Sequence, residues 1–142
     1  MGAFEGTWKG AIGYDTITVH LKVAKIYYNM DGGFYWDNIV GWHQYKRGPI
    51  VIESSYQNIG NTNLRTFIGG NENNINQLDG LLKDIRKNKR GKLSLTLVSS
   101  VTPNQLVWKL ENTEGVRVRT NPNQAPYDWG FTLPENMVLT KQ

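Results

Sequence analysis

"DTITVHLKVAKI", residues 15–26, sets Ile17, Val19, Leu21 and Val23 against Thr16, Thr18, His20 and Lys22. A period of two places alternate side chains on opposite faces of an extended chain, so this stretch reads as a strand with one buried face. The segment before it, "FEGTWKG", alternates as well, with Phe4, Gly6, Trp8 and Gly10 on one side. After it, "NMDGG" at 29–33 supplies an Asp-Gly turn whose residues tolerate positive φ.

The same rhythm continues along the chain. "GFYWDNIVGWHQYKRGP" (33–49) is broken by "KRGP", and "IVIESSY" (50–56) reads as the return strand. "NIGNTN" is a loop, "LRTFIG" is strand-like and "GGNENN" is a loop. "KLSLTLV" alternates through Leu93, Leu95 and Leu97, "TPN" turns it, and "QLVWKLE" buries Leu106, Trp108 and Leu110. "NTEG" leads into a short "VRVR", then a Pro/Asn-rich loop at 120–130, and "NMVLTK" is the last strand. Residues 75–87 fit two patterns. Ile75, Leu78, Leu82 and Ile85 make a helical stripe, whereas "LLKDIRK" pairs with "KLSLTLV" across "NKRG" in a hairpin. Gly80 costs a helix about 1 kcal/mol relative to Ala, which favours the hairpin.

The fold expected is all-β: an antiparallel up-and-down barrel of about eight to ten strands with at most one short helix, the alternative being a β-sandwich. Long strands joined by short hairpins favour the barrel, because closure removes exposed edges. The 142 residues make one domain, 1–142, with residues 1–3 reading as an added start. Without cysteine there is neither a disulfide framework nor thiol chemistry. No apolar run approaches the roughly 18 to 20 residues of a membrane-spanning helix, and Met1–Lys9 lacks the basic start and apolar middle of a signal peptide.

The formal charge is +4, but "KDIRKNKRGK" (83–92) alone carries +5, leaving −1 for the rest. Lys83, Arg86, Lys87, Lys89, Arg90 and Lys92 therefore form a local basic tip, a candidate contact for an anionic surface. No aromatic residue is interleaved with them, so base stacking has no platform and specific nucleic-acid binding is not expected.

Aromatic residues are concentrated in 34–45. Even positions give Phe34, Trp36, Asn38, Val40 and Trp42, and odd positions give Tyr35, Asp37, Ile39, Gly41, His43 and Tyr45. One core cannot absorb rings from both faces. Two Trp on one face suggest core there, since a ring of that size buries about 150 to 250 Å². The mixed face with Asp37, His43 and Tyr45 then has the better claim to function, because pockets combine apolar bodies with polar tips. The candidate ligand-binding set is Tyr35, Trp36, Asp37, Trp42, His43, Tyr45, Trp108 and Trp129, the last expected as a plug at a barrel end. Asp37 and Glu53 lie on segments expected to pair, which would bring two carboxylates together. No His spacing suits a metal, and no nucleophile, Walker or dinucleotide motif occurs, so no metal, cofactor or catalytic residue is assigned.

Gly6-Thr7-Trp8 on the first strand resembles the opening of the calycin group (lipocalins, fatty-acid-binding proteins and avidins), which carries Gly-x-Trp there. The resemblance implies that Trp8 plugs one end of the barrel and that a cation from the last strand, Lys141, packs across its ring, a contact worth about 0.5 to 2 kcal/mol. The second lipocalin motif and the biotin-contacting set of avidins have no counterpart in this chain. The whole chain, including "DWGFTLPENMVLTKQ", is also similar to a family of small exported bacterial β proteins. That likeness implies a secreted, periplasmic or outer-membrane-anchored location, with a leader removed ahead of Met1, and brings no activity with it.

Three functional readings follow, in order of preference. The first is a non-catalytic lipocalin-like barrel binding a small apolar or aromatic ligand. The second is a protein-protein or anionic-surface interaction module with a filled core. The third is a small barrel enzyme (cyclase, isomerase or hydrolase) using His43 or Asp37 as acid or base.

Overall fold

The computed structural model describes residues 1–71, 74–98, 104–113, 122–123 and 128–142. The described residues hold nine strands: β1 (Gly6–Ile12), β2 (Asp15–Tyr28), β3 (Phe34–Arg47), β4 (Ile50–Ser54), β5 (Phe67–Gly70), β6 (Gln77–Asp84), β7 (Lys89–Leu97), β8 (Gln105–Glu111) and β9 (Asn136–Lys141). Eight of them follow one another around a ring, β1-β2-β3-β5-β6-β7-β8-β9, which closes where β9 pairs with β1. The protein is thus an eight-stranded antiparallel barrel, not a sandwich. Strand β4 stands outside the ring: it takes the edge of β3 at Gln44–Arg47, and β5 takes the same edge at Ile39–Gly41. Helical structure among the described residues is confined to three-residue 3-10 turns at Gly2–Phe4, Tyr56–Asn58 and Thr62–Leu64.

Residues 77–97 form the expected hairpin, but the turn falls earlier than "NKRG". Lys83 pairs with Arg90 and Asp84 with Lys89, so the turn is Ile85–Asn88. Its position follows from contacts that the local sequence does not contain. Glu53, from β4, accepts hydrogen bonds from the Ile85 and Arg86 amides at 3.0 and 3.3 Å. Asp84 accepts from the Lys87 amide at 3.0 Å, and Asn88 takes the left-handed conformation, φ 50°. The "VRVR" strand lies outside the described residues, as does most of the 120–130 loop.

Alternation puts Ile17, Val19, Leu21, Leu78, Leu82, Leu93, Leu95, Leu97, Leu106, Trp108, Leu110 and Leu139 in one interior cluster with Phe4, Trp8 and Phe67. The interior is filled by these side chains. Around Phe67 the neighbouring strands carry glycine, because a Cβ at Gly80 would stand 2.2 Å from the Ile68 carbonyl oxygen and 2.7 Å from the Phe67 ring. A Cβ at Gly69 would likewise meet that ring at 2.7 Å. Trp8 is fully buried in this interior and donates its indole N–H to the Phe4 carbonyl at 2.8 Å. Lys141 pairs with Trp8 across β9 and β1, and its ammonium lies 5.3 Å from the ring centroid. The Gly2–Phe4 turn delivers Phe4 into the core, so these residues are part of the fold.

Candidate functional site

Strand β3 carries the aromatic stretch, and its two faces lie opposite to the expectation. Ile39 and Tyr45 belong to the interior cluster, so the odd, mixed face looks into the barrel. The even face, with Trp36 and Trp42, looks outward. Trp42 and Val40 are nevertheless fully buried. The connection between β4 and β5 is pinned to β3 at both ends, by Ser55 N–H to the His43 carbonyl and by Thr66 N–H to the Gly41 carbonyl, and its Tyr56–Asn58 turn packs on β3. The two Trp are therefore not a shared core face. One is covered by a loop, and the other is in water because its strand runs on past the barrel.

The eight proposed ligand-contacting residues do not converge. Tyr35, Trp36 and Asp37 are exposed beyond the barrel rim. Trp42 is on the outside beneath cover, and His43, Tyr45 and Trp108 are inside. Trp108 donates to the Pro134 carbonyl at 2.8 Å. Tyr45 shares a hydrogen bond with Asp15, and that bond, helped by Arg47, holds the Asp15 carboxyl below its usual range. Trp129 is about half exposed, and its carbonyl accepts from Asn112. Asp37 and Glu53 do not meet either. Asp37 pairs with Lys25 at 3.7 Å on the projecting part of β3, while Glu53 sits at the far end of that strand.

His43 is the centre of a sealed polar network. Its Nε2 lies 2.6 Å from Glu53 Oε2, and its Nδ1 lies 2.9 Å from Thr66 Oγ1. A carboxylate only accepts, so the ring presents Nε2–H to Glu53, while Nδ1 shares a hydrogen bond with the Thr66 hydroxyl. Ser55 Oγ accepts the His43 amide at 2.9 Å and lies 3.1 Å from Thr66 Oγ1. Hydroxyl, imidazole and carboxylate stand in the order of a nucleophile relay. Here, however, the imidazole is fully buried, and Glu53 also accepts from the Ile85 and Arg86 amides. The network works as a clasp that ties β3, β4 and β5 to the β6–β7 turn. Glu53, Ser55 and Thr66 belong to it through tertiary contacts alone. Among the described residues no group of three or more metal-binding side chains occurs.

The basic tip is smaller than its sequence. Lys87 pairs with Asp128 at 2.7 Å, and Lys89 donates to the Asp128 carbonyl while lying over the Phe131 ring. Lys92 sits opposite Glu111 and also acts on Asp79. Lys83, Arg86 and Arg90 remain without an ion pair among the described residues, with Lys83 and Arg90 side by side across the hairpin.

Tyr56 marks a weak point in the outer cover. Its hydroxyl is buried with no hydrogen-bond partner among the described residues, and burial pushes its pKa up to about 12. Above the ordinary value of 10.0 an unfolded chain releases a proton that the folded chain retains, so stability falls as pH rises through that window. Tyr56→Phe is expected to raise stability by about 1 kcal/mol at neutral pH, by removing an unsatisfied buried hydroxyl, and to flatten the alkaline limb. Urea unfolding at neutral pH and within the window measures both effects.

Among the described residues, a cluster of exposed rings lies on an arm that the strand lengths build. β2 has 14 residues, but β1 covers it only as far as Leu21. β5 covers β3 only as far as Ile39. Beyond those points 24–28 and 34–38 pair only with each other. Their rings lie on both faces of the ribbon: Tyr27 against Tyr35, centroids 5.2 Å apart, on one, and Tyr28 stacked on Phe34 at 5.5 Å on the other, with Trp36 edge-on to Phe34. Tyr35 is 68% exposed and Trp36 63%. The closing turn requires Gly33, whose φ is +83° and where a Cβ would meet the Tyr27 hydroxyl. Tyr27, Tyr28 and Phe34 lie outside the candidate ligand-binding set, although Phe34 belongs to the aromatic run at 34–45. The length mismatch between the 15–28 run and the first strand was the available signal.

No curated protein and no solved structure matches this chain. A family described as a family of unknown function matches it from end to end, over residues 1–142. A filled, closed barrel bearing one aromatic arm is therefore the shape of this chain as a member of DUF6705, the family of unknown function to which it belongs.

Proposed function

We propose that the protein is a non-catalytic recognition module that engages its partner through the projecting β2–β3 arm. The observation that carries this reading is the contrast between the two sets of rings. Trp8, Trp108 and Phe67 are consumed by a filled interior, whereas Tyr27, Tyr35 and Trp36 stand in water on a ribbon that the barrel does not need. Exposed aromatic clusters of this kind are what recognition surfaces supply. The filled interior leaves little support for a small ligand held inside a lipocalin-like barrel, although the Lys141–Trp8 contact keeps the likeness to calycin architecture. The sealed position of His43 supports the non-catalytic part of the reading.

Native mass spectrometry tests it. The expected result is the bare polypeptide mass of 16.2 kDa or a whole multiple of it. A small-molecule adduct lost on denaturation, and retained when the arm is shortened to a two-residue turn, would return function to the barrel interior.

A further inference from the structure

Among the described residues the arm leaves two backbone edges open, and they differ. On β2 the edge is blunted: the Val23 amide is already taken by Glu5 Oε1 at 2.7 Å, and Lys25 follows it. Lysines and side-chain caps are how proteins keep an edge from pairing. On the β3 edge at 34–38 no side chain among the described residues caps an outward amide, and its one charge, Asp37, is neutralised by Lys25. Gly41 and His43 direct their carbonyls away from β2, toward Thr66 and Ser55. The two-residue period of a strand then turns the backbone groups of Asp37 and Tyr35 to the same open side.

We infer that this edge pairs with the same edge of a second copy, antiparallel and centred on Trp36, to give a closed two-fold dimer. The inference rests on the reading of the arm as the recognition element. In that register Trp36 faces Trp36 of the second copy in a non-hydrogen-bonded pair, where side chains approach most closely. Tyr35 faces Asp37, and Phe34 faces Asn38. Continuing across all four strands, one row reads Ile26–Trp36–Trp36–Ile26 and the next reads Tyr27–Tyr35–Asp37–Lys25, using the pairings already present within each arm. No like charges oppose each other in either row. Pairing stops after 34–38, because β5 occupies the edge from Ile39 onward. Self-pairing through one edge alone closes the assembly and does not propagate it.

Two other occupants fit less well. A glycan wants a flat platform, but the exposed rings are tilted, by 54° between Tyr27 and Tyr35 and 76° between Phe34 and Trp36. Lipid cannot satisfy an open strand edge, and the tip of the arm carries Asp31.

Sedimentation equilibrium of the full chain over a concentration series tests the inference. The expected result is a mass rising from 16.2 kDa to twice that value. Tyr35→Pro removes the outward-facing amide together with the Tyr35 ring and is expected to abolish the dimer, whereas Tyr35→Ala, which removes the ring and keeps the amide, is expected to retain it; both leave the thermal transition and far-UV circular dichroism of the barrel in place. Tyr27→Pro, on the blunted edge, is expected to leave the dimer intact. A wild-type chain that stays monomeric at high concentration, or a dimer indifferent to Tyr35→Pro, would overturn it. So would a monomer that co-sediments with phosphatidylcholine–phosphatidylglycerol vesicles, which would give the arm to a lipid surface. These outcomes leave the arm reading to be judged by its own mass measurement.

Discussion

Glu53→Ala is expected to lower the unfolding free energy by about 3–5 kcal/mol, the usual cost of removing one partner from a buried charge-assisted pair. Three groups lose their acceptor at once: His43 Nε2 at 2.6 Å, the Ile85 amide at 3.0 Å and the Arg86 amide at 3.3 Å. The imidazole is fully buried, so water does not replace the carboxylate there without opening the clasp. The orphaned imidazole N–H is buried and costs on the order of 1–3 kcal/mol, while the Ile85 and Arg86 amides are part-buried, so water offsets part of their loss. Glu53→Gln retains one carbonyl acceptor and the side-chain volume, and its loss is expected to be about half as large. Urea unfolding of the two variants, compared at equal m-value, is the measurement. A loss below 1 kcal/mol in Glu53→Ala would mean that the clasp is incidental and that the turn is set by its own sequence. Hydrogen exchange adds a local readout: the Ile85 and Arg86 amides should lose protection in both variants, and more in Glu53→Ala.

Trp8→Ala is expected to cost a similar amount, about 3–5 kcal/mol, as for other large aromatic deletions in packed cores. The side chain is fully buried, and three contributions leave with it: the packing volume, the hydrogen bond to the Phe4 carbonyl and the platform for the Lys141 ammonium. Lys141→Met separates the last of these, retaining an apolar stem over the ring while removing the charge. Its expected cost is about 0.5–2 kcal/mol, the range of a cation–π contact. If Lys141→Met were as costly as Trp8→Ala, the cation rather than the packed ring would dominate. Loss of Trp8 also frees Phe4, so the Gly2–Phe4 turn should become sensitive to proteolysis in Trp8→Ala.

What the sequence determined by itself was everything governed by a period of two. The alternations in 15–26, 92–98 and 105–111 name the interior residues Ile17, Val19, Leu21, Leu93, Leu95, Leu97, Leu106, Trp108 and Leu110, because a strand's side chains have only two directions and the apolar set must share one. That alternation, the long strands and the turn residues between them were enough for an all-β barrel. Three matters were decided only by tertiary structure. The face of β3 that looks inward could not be read where both faces carry rings; it follows from the pairing of Ile17 with Tyr45 and of Val23 with Ile39, which puts the odd side of β3 with the apolar side of β2. The site of the β6–β7 turn depends on Glu53, some thirty residues earlier, because a buried carboxylate can take two turn amides and so outweigh the glycine that marks "NKRG". The arm arises from unequal strand lengths. Each strand's run is visible in the chain, but which neighbours stop short of it is a property of the closed ring, and that alone separates the rings that fill the core from the rings left in water.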